Sequence, residues 1–270
     1  MYNILITGNN SYIGKKFERW VKINKKKINI DFISLKNSDW EKKDFSTYDV
    51  LIHLAAIVHK KESKIPYEEY YKVNVELSKK LITKCKNEGV NHFIFFSSMS
   101  VYGLEASMKK VVSITKKTTE SPNTKYGRTK LDAEREIRKI ADNFLPICIL
   151  RPPMIYGDDC PGNYKKMKLI SRVIPFIPHI ENKKSVIHID NLCEFLYEVI
   201  SKKSSGIYLP QDSKYMNTSN EFALIRKKNN LFTYKSNFLG LIILRFFSRN
   251  STFKKIFGNL IYEDKKVEEL

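Results

Sequence analysis

The first fourteen residues constrain this chain most. Tyr2 to Thr7 is a short apolar run that stops at a glycine and reads as a buried strand. Thr7-Gly8-Asn9-Asn10-Ser11-Tyr12-Ile13-Gly14 follows it, and Tyr12 to Val21 has the apolar spacing of a helix. Gly8 permits a tight turn, and Gly14 lets the helix lie close on the strand. Between them, backbone N–H groups at Asn10, Ser11, Tyr12 and Ile13 meet at a helix N-terminus, where a pyrophosphate can be held. Ser11 stands where such loops usually carry a middle glycine. The strand–turn–helix setting predicts a dinucleotide site. The alternative is an ordinary strand-to-helix turn with incidental glycines.

The rest of the first half repeats that alternation. Strands are expected at Ile28 to Leu35, Val50 to Ala55, His92 to Ser97 and Ile147 to Arg151. Helices are expected at about Tyr70 to Glu88, ending at Gly89, and at about Tyr126 to Ala141. The strands read as apolar on both faces, as in a parallel sheet covered by helices on both sides. After Pro152 the pattern weakens into proline-punctuated loops, with a short helix near Tyr164 to Val173. Val186 to Ile189 and Gly206 to Leu209 read as strands, Asn191 to Ser201 as a helix, and the remainder from about Tyr215 as helical. At 270 residues the chain is long for one core. The expected class is therefore α/β, a Rossmann-type doubly wound parallel sheet with a smaller C-terminal substrate-binding lobe. Residues 1–155 form the NAD(P)-binding domain in this reading. Residues 156–270 form mostly the lobe, with 186–209 returning to the first domain.

Composition excludes more than it identifies. The formal net charge of +19 could draw nucleic acid, anionic lipid or a phosphorylated substrate. The lysines are spread along the whole chain, however, and no nucleic-acid module or aromatic-basic signature is present. Cys85, Cys148, Cys160 and Cys193 form no CxxC pair and have no metal-ligand spacing with His, so reduced thiols in a cytoplasmic enzyme are the simplest account and no metal is expected. The N-terminus carries no basic leader before a long apolar core. The run Phe238 to Leu244 falls far short of the roughly 20 residues of a membrane span. Phe238 to Phe257 is apolar and basic. Core packing of the small lobe is preferred for it over a helix lying on a membrane surface.

Tyr126-Gly127-Arg128-Thr129-Lys130 sets a phenol and an ammonium four residues apart on one helix face. Their free pKa values are about 10 and about 10.4. A neighbouring Lys⁺, with a positive nicotinamide ring, favours the phenolate and makes the tyrosine a useful general base. Ser97-Ser98-Met99-Ser100-Val101-Tyr102-Gly103 falls at the C-terminal end of the fourth strand, where open α/β sheets bind ligands. A hydroxyl there can bond a reacting sugar oxygen and share its proton with Tyr126. At the adenosine end, Asp31 lies inside a strand rather than at its tip. Lys36 at the tip is a candidate for the 2′-phosphate of NADP, and Asp44-Phe45 for the border of the adenine.

With these pieces in order, the chain resembles the extended short-chain dehydrogenase/reductase family, in its nucleotide-sugar epimerase/dehydratase branch. The matching residues are Thr7 to Gly14, His53-Leu54-Ala55-Ala56, Asn74, Ser98, Tyr126 to Lys130, Arg151-Pro152-Pro153-Met154-Ile155-Tyr156-Gly157 and Ile187 to Leu192. The resemblance implies Ser98, Tyr126 and Lys130 as the catalytic triad. It implies Asn74 as support for the active site, and Leu54, Ala55, Ala56 and Pro153 beside the cofactor, which is NAD, with NADP as the alternative. It implies Ser100, Asn163 and Lys184 toward a nucleotide-sugar substrate, expected to be UDP-linked. Two departures matter. Met99-Ser100 replaces the Asp-Glu pair of the branch's 4,6-dehydratases, which disfavours dehydration. The chain also ends at Glu268-Glu269-Leu270, earlier than similar enzymes, so the pocket is incomplete or the chain truncated. The leading reading is a 4-epimerase of a UDP-hexose or UDP-N-acetylhexosamine, acting through a 4-keto sugar. A 4-ketoreductase using NAD(P)H needs the same residues, and a non-catalytic NADPH-binding regulator is the reading from another class. A homodimer is a candidate assembly. His53 and His188 are read as packed or turn-bonded, His59 as a candidate to reach substrate, and Cys160 as lying near the pocket without a partner that would activate it.

Overall fold

A computed structural model describes residues 2–58, 65–142 and 144–268. His59 therefore lies outside the described residues. Strand β1 (Tyr2–Thr7) lies next to one edge of a seven-stranded sheet, between the edge strand β2 (Ile28–Ile33) and β3 (Val50–His53). Beyond β3 come β4 (His92–Phe96), the strand Ile147–Leu150, the strand Gly206–Tyr208 and, at the far edge, Lys266–Glu268. All neighbours are parallel except the last pair. The strand order reverses between β1 and β3, the topological switch point beside which doubly wound sheets hold ligands.

Burial follows the sequence pattern in the centre of the sheet. All residues of β3, β4 and Ile147–Leu150 are buried. One face packs Leu5, Leu51, Phe93 and Ile149 against the helices Leu77–Asn87 and Lys125–Ile140. The other packs Ile4, Ile52, Ile94 and Leu150 against Tyr12–Ile23 and Ile189–Ser201. Strand β2 departs from the expectation of two apolar faces. Its Asn29 and Asp31 are exposed between the more buried Ile28, Ile30 and Phe32, as suits an edge strand covered on one side only.

The expected helix at 70–88 is one helical run with a five-residue π-turn, Lys72–Glu76, set between Tyr67–Tyr71 and Leu77–Asn87. A smaller cluster around Tyr164, Ile177, Phe222, Ile225 and Phe257 forms the core of the C-terminal lobe. The expectation that everything after Tyr215 is helical needs correction. Tyr234–Ser236, Ile261–Tyr262 and Lys266–Glu268 are strands, too short to leave a two-residue periodicity in the sequence. Phe238 to Phe257 also differs from a plain core segment. Ile243, Leu244 and Phe257 pack inward, but Gly240 is the only buried residue of the helix Asn237–Phe246. That helix leaves Phe238, Leu241 and Phe246 more than half exposed.

Candidate active site

The loop after β1 is built as a strand-to-helix anion cradle. Gly8 has φ +94°, a left-handed conformation that disfavours any side chain, and its N–H donates to Ile33 O at 2.8 Å. Ser11 caps the helix: its Oγ accepts from Gly14 N at 3.2 Å. The other N–H groups of that first turn have no partner within the helix and remain available to a phosphate. A Cβ on Gly14 would lie 2.9 Å from the Phe32 ring, 3.2 Å from Ile6 and 3.4 Å from Leu54, so only glycine lets this helix sit so low on the sheet. The Tyr12 hydroxyl donates to Asp158 O at 2.8 Å and Lys16 pairs with Asp159 at 3.8 Å, holding the Asp158–Asp159 turn to the same helix.

A buried polar chain fixes the neighbouring strand end. Thr7 Oγ1 accepts from the N–H groups of Leu54 and Ala55, each at 3.1 Å, and bonds His53 Nδ1 at 2.8 Å. His53 Nε2 bonds Ser78 Oγ at 2.8 Å, and Ser78 donates onward to Asn74 O at 2.8 Å. Because Ser78 donates to a carbonyl, it accepts from His53, which assigns the proton to Nε2. Burial pushes the His53 pKa down to about 3, so the ring is neutral and structural. Asn74, in the π-turn, accepts from Ile57 N at 2.8 Å and donates to Thr129 Oγ1 at 3.1 Å. The segment Leu54-Ala55-Ala56 is thus tied to the helix that carries Tyr126.

Ser98 caps the short turn Met99–Tyr102 through Ser100 N at 3.2 Å. Its hydroxyl hydrogen-bonds the phenol of the half-buried Tyr126, at the start of the helix Lys125–Ile140. Thr124 caps that helix by accepting from Gly127 N at 3.0 Å. A Cβ on Gly127 would lie 2.6 Å from Ser100 O, so this glycine is what allows the tyrosine helix to touch the serine turn. Lys130 is buried; its Nζ donates to Phe96 O at 2.7 Å and lies 4.5 Å over the Phe95 ring. Ser98, Tyr126 and Lys130 therefore converge at the C-terminal end of β4.

The electrostatics differ from the expectation that Lys130 holds the phenol down. Burial raises the Tyr126 pKa to about 12, with only the Ser98 bond opposing it. Burial brings Lys130 down to about 7, partly offset by the Glu134 carboxylate. Desolvation exceeds the mutual effect of the pair, because both groups sit among apolar side chains. Behind them, Glu134 binds Arg151 through three hydrogen bonds of 2.6 to 3.2 Å and also accepts from Ser97. Arg151 further contacts the Tyr102 hydroxyl at 2.8 Å and Glu120 at 2.7 Å. Thr7, Gly127 and Glu134 were not singled out as individual site residues in the sequence reading. The glycine directly after the tyrosine was the one local signal for any of them.

The remaining candidates lie elsewhere in the structure. Pro153 is buried just beyond Ile147–Leu150. Lys36 is exposed past the end of β2. Asp44 accepts from Ser46 N at 2.8 Å, while Phe45 is wholly buried in the core cluster that also holds Trp40, Leu51 and Leu81. The Asp31 carboxylate accepts from Tyr48 at 2.6 Å, well inside β2. Ser100 Oγ is buried without a partner among the described residues. Asn163 is exposed as the first residue of the helix Asn163–Val173. The Lys184 ammonium is spent on the carbonyls of Lys255 and Ile256, near the end of the helix Ser251–Phe257, and burial lowers its pKa to about 8. Cys160 is buried and its pKa is raised to about 11, chiefly by desolvation. His188 caps the helix Ile189–Ser201.

Residues 4–206 match the NAD dependent epimerase/dehydratase family. The chain belongs to that family. The glycine loop with its capped helix fits the NAD that the family's name gives as its cofactor. A UDP-glucose 4-epimerase of Vibrio cholerae is 31% identical over 180 residues, 63% of this chain and 54% of the relative. An N-acetyl-alpha-D-glucosaminyl-diphospho-ditrans,octacis-undecaprenol 4-epimerase of Escherichia coli O157:H7 is 27% identical over 164 residues, 59% of this chain and 47% of the relative. The chain thus spans about half the length of these relatives. The solved UDP-glucuronic acid 4-epimerase of Bacillus cereus, in complex with NAD, superposes with a TM-score of 0.68 at 20% identity, covering 87% of this chain and 85% of that one. Among the described residues, no helix is long and apolar enough to cross a membrane.

Proposed function

We propose that the protein is a nucleotide-sugar 4-epimerase acting on a UDP-hexose or UDP-N-acetylhexosamine. The observation that carries this reading is the Ser98–Tyr126 hydrogen bond at the end of β4, with Lys130 one helical turn further along. Tyr126 takes the proton from the sugar 4-hydroxyl, and Ser98 holds the same oxygen. Bound NAD supplies the hydride acceptor and donor at C4. Ser98 is the group that opposes the rise burial imposes on the phenol, and Lys130, held by Phe96 O one helical turn along, stands ready to bind the cofactor's ribose. After the 4-keto sugar turns in the pocket, Tyr126 returns the proton. The Asp-Glu pair of the family's dehydratases has no counterpart at Met99-Ser100, so water is not removed across C5 and C6. Two 4-epimerases similar to this chain support the reading; dTDP-D-glucose 4,6-dehydratases are similar to it too, and Met99-Ser100 is what speaks against their reaction here.

The test is Tyr126→Phe, which keeps the ring and its packing and removes the proton carrier. Epimerisation of UDP-glucose or UDP-N-acetylglucosamine should slow by about 10²–10⁴-fold, the usual worth of a general acid–base group, with NAD affinity nearly unchanged. Near-full turnover in the variant would move the chemistry to another residue.

A further inference from the structure

The exposed apolar side chains of the small lobe form a single district. Val173, Phe176, Tyr234, Phe238, Leu241 and Phe246 are each more than half exposed, Val173 at 80% and Phe238 at 71%. The strands Phe176–Pro178 and Tyr234–Ser236 pair in parallel, and the Phe176 and Tyr234 rings meet with centroids 6.0 Å apart. Val173 closes the helix that leads into the first strand, and the helix Asn237–Phe246 leaves directly from the second. That helix is seated through its small residue: a Cβ on Gly240 would lie 2.2 Å from His179 O. Its inner face, through Ile243 and Leu244, belongs to the lobe's core. Phe238, Leu241 and Arg245, at i, i+3 and i+7, share the opposite face.

Charge says what this face suits. From Cys160 to Ile180 the sequence holds four Lys or Arg and no acid, and from Phe222 to Tyr262 it holds eight and no acid. Lys166, Arg172, Lys235, Arg245 and Arg249 are exposed on the elements that carry the apolar residues or adjoin them. An apolar centre with aromatic rings and a predominantly cationic fringe, in which Glu181 beside His179 is an exposed acid, matches the boundary of an anionic bilayer, where apolar side chains enter the acyl region by roughly 5–10 Å and cations meet the headgroups. A second copy of the chain would set the same cations against each other, so self-association is the poorer fit.

We propose that this face docks the enzyme on the surface of an anionic phospholipid bilayer. Each Lys or Arg brought to such a surface is worth about fivefold in partition, so the fringe alone gives strong salt dependence. The test is flotation of the full chain with vesicles rich in phosphatidylglycerol, compared with vesicles of phosphatidylcholine alone. The expected result is flotation with the anionic vesicles only, weakened by added salt. The triple variant Phe238→Ser/Leu241→Ser/Phe246→Ser should partition at least about tenfold less. Its melting curve and NAD binding should be unchanged, since these side chains stand outside the core and away from the cofactor loop. Three results would each overturn the proposal: no flotation with anionic vesicles, equal flotation of a folded triple variant, or a solution dimer that the triple variant converts to monomer, which would assign the face to a second copy.

Discussion

At the residue scale the site turns on how far burial moves two groups. Lys130 loses its proton at about 7 in the folded chain, against 10.5 for the unperturbed side chain. Between those values the unfolded state binds more protons, so this residue's contribution to stability grows as pH rises, reaching its full value above the unfolded pKa. Below about 7 both states are charged, and the folded state carries the whole cost of a buried ammonium. Lys130→Met keeps most of the volume and removes that cost. We expect its melting temperature to rise by a few degrees at about pH 6, with a flatter stability profile between about pH 7 and 10. NAD affinity and turnover should fall sharply in the same variant. Thermal melts across that range check this; a lower melting temperature at the acid end would show that the Phe96 carbonyl bond outweighs the burial cost. Sequence spacing placed Tyr126 and Lys130 on one helix face. It carried no information on how dry that face is, so it predicted a lowered phenol where the surroundings raise it.

At the element scale the helix Lys125–Ile140, which carries Tyr126 and Lys130, is positioned by two contacts. Gly127 meets the Ser98–Tyr102 turn with no room for a methyl group, and the obstructing atom is backbone oxygen, which cannot swing aside. Gly127→Ala should therefore push Tyr126 away from Ser98 and lower kcat by about 10²-fold, the usual loss for a displacement near 1 Å. Steady-state kinetics with NAD titration separates that from lost binding, and wild-type kcat would contradict the contact. The second contact is the buried Glu134–Arg151 pair, which joins the same helix to the end of Ile147–Leu150. Glu134→Gln leaves Arg151 short of a buried counter-charge, and unfolding titrations should show a loss of about 3–5 kcal/mol. A loss under about 1 kcal/mol would mean that Glu120 suffices. The strands and long helices of this half were legible because fully buried strands are apolar throughout and the helices keep a 3.6-residue rhythm. The π-turn at Asn74, the edge strand Lys266–Glu268 and the exposed helix Asn237–Phe246 were not. Each depends on which neighbour covers it, and a short segment's own composition does not record that.

At the scale of the whole molecule, the reversal of strand order beside β1 gathers the Gly8 loop, the Leu54–Ala56 segment and the Ser98–Tyr126–Lys130 group at one edge of the sheet. The central claim, C4 epimerisation, is tested most directly by proton NMR of the full chain incubated with UDP-glucose and, separately, with UDP-N-acetylglucosamine, with no reduced cofactor added. The account predicts that the anomeric signal of the C4 epimer grows in at least one sample, that UDP stays attached, and that no 4-keto-6-deoxy sugar accumulates. Unchanged sugar in both samples, alongside consumption of NADPH when a UDP-4-keto sugar is supplied, would contradict it and make the enzyme a reductase.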